Sequence, residues 1–256
     1  MKSRFLAALL VVAAALTLSG CIQMHSATTI EKDGSGTASF RLSFSQGVSE
    51  ALKEMQGMDM DMGGDMEMPD FSKVDKAELE KAGKEHGVKI TRFSRDPVDG
   101  RETLDIGMSF EDLKGLSFMM NRVMGESSDN GGFGIFDNGD GNFILRSATY
   151  EYPDQPAEAA EESGESDSPM PEMDPEMMGK QMELMGKLMA SMSELSVHME
   201  ITVPGDIVKS NAPKVEGRTS IWTVDSSNMM SMQGESDMEP EIVFSAKGLK
   251  IKPQTE

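Results

Sequence analysis

Apolar and polar residues alternate along this chain in paired short runs, and turn-forming residues join each pair. His25–Ile30 and Thr37–Phe44 flank Asp33-Gly34-Ser35-Gly36. Val88–Ser94 and Glu102–Phe110 flank Asp96-Pro97-Val98-Asp99-Gly100, and Phe133–Phe136 and Asn142–Tyr150 flank Asn138-Gly139-Asp140-Gly141. A period of two interrupted by Asp-Gly or Asn-Gly predicts a β-hairpin each time. Ser196–Val203, ended by the turn or bulge of Pro204-Gly205, and Thr219–Val224 predict two further strands, with Glu241–Ala246 a candidate for the last.

Between these runs the period lengthens to that of a helix. Ser45–Met55 carries Val48, Leu52 and Met55 behind Ser45 or Ser49 as N-cap. Lys73–Lys84 predicts a short, charged surface helix. Ser109-Phe110-Glu111-Asp112 opens another, with Leu113, Leu116, Met119, Met120 and Val123 on its apolar side. The strongest helical pattern is Pro175–Leu195. There Met178, Met182, Met185, Met189 and Met192 recur at steps of 4, 3, 4 and 3, and Leu184, Leu188 and Leu195 widen the stripe. Tyr152–Pro171 is rich in Pro, Glu, Ser and Ala without apolar periodicity, the composition of a disordered linker. Gly57–Met68, with alternating Asp and Met, reads as a loop.

The expected fold class is therefore α+β. An antiparallel sheet built from hairpins carries helices on one face, with disordered Met- and acid-rich inserts. Residues 21–151 form the first part of the domain, 152–174 the acidic linker, and 175–256 the Met-rich helix and the strands that complete it.

Charge narrows the partners. The formal net charge is −20. Such a surface repels nucleic acid within a Debye length of about 8–10 Å, and no dense basic patch offsets it. The 25 methionines call for a reason. Thioethers are soft ligands suited to Cu(I) or Ag(I), and Met58, Met60, Met62, Met66 and Met68 have a Met-x-Met spacing that could hold such an ion. The same residues also fit compositional bias or an oxidant trap, and the interleaved aspartates are hard ligands. On 175–195, methionines at helical spacing form a pliable apolar face, which makes Met178, Met182, Met185, Met189 and Met192 a candidate binding surface.

Catalytic patterns are lacking. His25, His86 and His198 have no Ser, Cys or Asp at a triad-like spacing, and there is no phosphate loop. His198 alternates with Val197 and Met199, the place of a surface or rim residue. The 138–141 loop lacks the alternating acids and terminal glutamate of a calcium loop, so its glycines serve a turn. Trp222, in a β run, is expected in the core with its N–H bonded nearby. No enzyme activity and no cofactor are expected.

The chain starts with Lys2 and Arg4, then the apolar run Phe5–Leu18, then Ser19-Gly20-Cys21. At about 20 residues for a membrane span, that run is too short to be a comfortable one. Leu18-Ser19-Gly20-Cys21 resembles the lipobox of bacterial lipoproteins. In that class the peptide is cut before the cysteine, whose thiol carries diacylglycerol and whose new amine is acylated. Residues 1–20 are then a signal peptide and Cys21 the lipid attachment site. The partner this implies is the membrane, through acyl chains on Cys21, and the location is the cell envelope. Because Ile22 rather than Asp follows the cysteine, the resemblance implies the periplasmic face of the outer membrane in a two-membrane cell.

Beyond Cys21 the chain resembles the LppM-like family of bacterial lipoproteins. The resemblance runs through the Asp33–Gly36 turn, Gly100–Leu116 (GRETLDIGMSFEDLKGL), Phe133–Arg146 (FGIFDNGDGNFILR) and, most specifically, Ile201–Val224 (ITVPGDIVKSNAPKVEGRTSIWTV). It implies an α+β domain with a non-enzymatic binding or scaffolding role toward envelope lipid or a protein partner. The Met-rich inserts, the 152–171 linker and the lack of a C-terminal membrane helix depart from the family pattern. The alternative reading is a Met-rich Cu(I)- or Ag(I)-binding periplasmic protein.

Overall fold

The computed structural model describes residues 22–50, 74–124, 131–150, 152, 186, 195–225 and 239–255. The first hairpin, β1 (Ile22–Ile30) and β2 (Gly36–Phe44), pairs in continuous antiparallel register from Ile22↔Phe44 to Ile30↔Gly36. Asp33 closes its turn by accepting from the backbone N–H and hydroxyl of Ser35. The second hairpin is β3 (Val88–Ser94) with β4 (Glu102–Phe110), and β4 also pairs with β2. Asp99 and Gly100 both have positive φ, and Val98 and Arg101 exchange two backbone hydrogen bonds around them. This is the two-residue hairpin turn whose twist matches that of the strands.

The third hairpin, β5 (Gly131–Asp137) and β6 (Asn142–Thr149), bends at Gly139, Asp140 and Gly141, all at positive φ. Asp137 accepts from the Gly139 N–H there, so the loop is a turn built on its own backbone. Helix α1 (Lys76–Glu85) starts on Asp75, whose carboxylate accepts from the N–H groups of Ala77 and Glu78. Helix α2 (Leu113–Met124) starts on Asp112, which accepts from the Gly115 N–H. A Cβ at Gly115 would strike the His86 carbonyl oxygen, so glycine lets α2 lie against the chain leading into β3. Residues 46–50 are helical, as the Val48 period predicts.

The remaining strands are β7 (Leu195–Thr202), β8 (Ile207–Ser210), β9 (Lys214–Glu216), β10 (Thr219–Val224) and β11 (Ile242–Ser245). Two sheets result, where the hairpin pattern predicted one. The larger runs β3-β4-β2-β1-β7-β10-β9 and the smaller β5-β6-β11-β8. The larger is also not wholly antiparallel, because β1 and β7 run parallel from Ile22↔Leu195 to Thr29↔Thr202. The third hairpin lies outside that sheet. It pairs with β11 instead. Leu195, expected to end a helix, is the first residue of β7.

Register sorts the larger sheet into two faces. Ala38, Phe40 and Leu42 of β2, Leu104, Ile106, Met108 and Phe110 of β4, Ile201 of β7 and Trp222 of β10 point inward. They pack with Leu113, Leu116, Met119 and Val123 of α2 and with Ile135, Leu145, Ile242 and Phe244 of the smaller sheet. Tyr152, where the acidic stretch was expected to begin, is buried and donates its hydroxyl to the Lys114 carbonyl, so the packed chain extends to that residue.

Trp222 is 1% exposed, as expected, but among the described residues its Nε1–H has no hydrogen-bond partner. Met199 lies opposite it on β7, and the nearby Ser220 hydroxyl is engaged by Ser210. An orphan buried donor costs about 1–3 kcal/mol, which offsets part of what the ring gains by burial. Trp222→Ala should lose about 3–5 kcal/mol by chemical denaturation. Trp222→Phe, which removes the orphan donor with only part of the ring, should lose less than half of that. Equal losses would contradict this account of the site.

Candidate functional site

The outer face of the larger sheet carries a polar row that crosses its strands. In register it runs Asp105 on β4, Arg41 on β2, His25 on β1, His198 on β7 and Thr223 on β10. Each comes from the solvent-facing phase of an alternating strand, and the pairing aligns them.

Asp105 anchors one end. Arg41 donates from Nε and Nη2 to Asp105 Oδ2 at 3.1 and 2.6 Å. Arg92 donates diagonally from Nε to Oδ1 at 2.8 Å. The Asp105 side chain is 13% exposed while both arginines are more than half exposed. One sequestered carboxylate thus satisfies two guanidiniums whose aliphatic stems cover it. Beside it the Ser43 and Thr103 hydroxyls meet at 3.1 Å.

The two histidines lie at the row's centre. Their rings stack with centroids 4.9 Å apart and planes 5° apart. His198 Nε2 is 2.7 Å from Glu200 Oε1, and Nδ1 is 3.2 Å from Thr223 Oγ1. A carboxylate only accepts, so Nε2 carries a proton. In the neutral ring Nδ1 then accepts from the Thr223 hydroxyl. Burial against its neighbours first, then the charge of His198 and, more weakly, Arg41 hold the His25 pKa below the usual 6.5, while Glu200 opposes them.

Strand alternation predicts His198 at the surface but not its partners. Glu200, two residues on along the same strand face, went unread as a partner of His198. Thr223 and His25 arrive only through pairing. His86 plays no part, since its ring stacks on Phe118 at 3.6 Å. Hydroxyl, imidazole and carboxylate stand in the order of an acyl-transfer triad, an arrangement that sequence spacing missed. Around it, however, the strand backbones are paired in their ladders. β7 lies between β1 and β10, so its N–H groups are committed on both sides rather than aimed at a developing oxyanion.

Two open depressions lie elsewhere. One, of about 590 Å³, is lined by Glu80, Lys84, Lys89, Glu111 and the β3 edge. The other, of about 700 Å³, is lined by Phe136, Arg146, Glu239 and Gln254. Neither includes the histidine pair. Among the described residues no group of three or more His, Cys, Asp or Glu is placed to hold a metal ion, and no helix is long and apolar enough to cross a membrane. Cys21, the methionines at 58, 60, 62, 66 and 68, and those at 178, 182, 185, 189 and 192 lie outside the described residues.

No family model matches the chain, and no curated protein matches it. Among solved structures, the NMR structure of the folded domain of Mycobacterium tuberculosis LppM is similar in fold. Its TM-score is 0.39 at 10% identity, over 88% of this chain and 90% of that one.

The depressed His25 pKa has a signed consequence. The unfolded chain binds the proton more readily than the fold does, so stability falls as pH drops through about 6.5 toward the lower folded value. The melting temperature should decline over that interval, and His25→Gln should flatten part of the decline. An unaltered slope in that variant would show that the stacked pair does not set the pH response.

Proposed function

We propose that this chain is a bacterial envelope lipoprotein, held to its membrane by acyl chains on Cys21, whose α+β body is a non-enzymatic binding or scaffolding module for lipid or a protein partner. The observation that carries the reading is the junction at Cys21. A basic start, an apolar run too short to span and small residues lead to this cysteine, and strand β1 begins at the next residue. Cleavage before Cys21 would leave every described strand and helix in the mature chain. A single acyl chain binds a membrane only marginally, at about 0.8 kcal/mol per buried CH2, whereas several chains on one residue anchor it firmly.

Two features favour binding over catalysis. The Thr223–His198–Glu200 group lies on a sheet face whose backbone donors are spent in strand ladders. Among the described residues the row from Arg92 to Thr223 lines neither depression and offers a wide polar surface. In a two-membrane cell we place the protein on the periplasmic side of the outer membrane, since Ile22 follows the cysteine.

The test is expression of the full chain in a bacterium supplied with labelled palmitate. The chain should carry label and sediment with membranes, and Cys21→Ser should lose both. Label and membrane partition retained in Cys21→Ser would overturn the anchor. A purified body of residues 22–256 that turns over a substrate by way of His198 would overturn the non-enzymatic half.

A further inference from the structure

We infer that the β3–β4 hairpin tip, residues 95–101, rests on the same lipid surface that holds Cys21. The inference rests on the anchored-lipoprotein reading and adds which side of the body meets the lipid.

Ile22 is already paired on both sides, with Phe44 of β2 and Leu195 of β7. An anchor on Cys21 therefore has no tether. It is bonded directly to a central strand, so the acyl chains fix that end of the sheet at the membrane. The row through Ile22 and Phe44 continues to Glu102 of β4. Strands β1 and β4 run the same way, so Arg101, one residue before Glu102, lies one residue beyond the level of Ile22, on the side from which the chain enters β1. Val98 bridges Arg101 and shares that level. Asp99 and Gly100 project one residue further, about 3.3 Å beyond it, and β4 stands two strands or about 10 Å to the side. The two-residue turn thus reaches the plane where the acyl chains begin.

The tip has the composition for that place. Val98 is 50% exposed, one of three large apolar side chains exposed among the described residues. The others point elsewhere. Val208 is on β8, an edge of the smaller sheet, and Val215 is on β9, in a row that passes through Ser220 and Ile201 to Thr28, six residues from Ile22. Arg95 and Arg101 balance Asp96 and Asp99, so this tip is neutral in a chain of net charge −20. A neutral tip with an exposed apolar side chain beside its apex suits a headgroup layer, and long arginine stems let their charges stay at its surface. The opposite end presents Glu31, Lys32 and Asp33 in the β1–β2 turn, beyond Ile30, which is about 26 Å from Ile22 along β1 at 3.3 Å per residue.

The test uses the lipidated full chain in phosphatidylcholine vesicles with brominated acyl chains, which quench indoles that touch them. Trp222, buried in the core, supplies a constant background. Val98→Trp should lose emission on bromination, and Lys32→Trp should not. A long Gly-Ser spacer inserted between Cys21 and Ile22 should abolish the Val98→Trp loss while leaving palmitate in place. Palmitate present with no quenching at Val98→Trp, or with equal quenching at both positions, overturns this inference and leaves the anchor standing. Chains without palmitate overturn both.

Discussion

Everything in this fold depends on β1 being shared. It pairs with β2 on one side and β7 on the other, and through it the N-terminal strands β3, β4 and β2 join the C-terminal strands β7, β10 and β9. Without it the sheet falls into two three-strand pieces, each exposing an edge of unpaired N–H and C=O groups and half of an apolar face. Such groups cost free energy whenever they are buried without partners. The pairing brings together residues far apart in sequence, His25 with His198 among them, so its loop-closure entropy must be overcome by what the closed sheet buries.

Magnitudes show where that compensation comes from. Each fully buried Phe, Leu, Ile or Met side chain contributes about 1.5–3 kcal/mol. Phe40, Ile106, Met108, Met119 and Phe244 are each 1% exposed or less, on four elements of one core. The outer row is weaker in stability. Its arginines are half exposed, and exposed ion pairs contribute about 0–1 kcal/mol. That row is better understood as a surface of fixed chemistry than as a source of stability. The division also separates two ends of the molecule. The chain continues toward its methionine-rich stretches from Phe44, from Leu195 and from Val224, all at the Ile22 end of the sheet.

The hairpins were legible because two local signals coincide in them: alternation in the strands and Asp-Gly or Asn-Gly between. Val88–Ser94, Glu102–Phe110 and Thr219–Val224 match the folded strands residue for residue. The parallel β1–β7 pair carries no such signal, since register between distant strands is set by the whole core. Strands β8 and β9 are short and mostly exposed, with Val208 and Val215 turned outward, so their alternation reads as loop. The same limit applies to the site. Alternation puts His25, Arg41, Asp105, His198 and Thr223 on an outer phase of their strands, but only pairing aligns them in one row. The Trp222 indole could be assigned to the core from its surroundings. That its N–H finds no partner among the described residues could not, because that depends on which side chains face it.

Amide hydrogen exchange across β1 tests the central claim most directly. If β1 is the shared strand, the amides of residues 23–29 should exchange as slowly as those of β2 and β4, opening only when the domain unfolds. Exchange of those residues at the rate of a free N-terminal segment, with β2 and β4 still protected, would contradict the account.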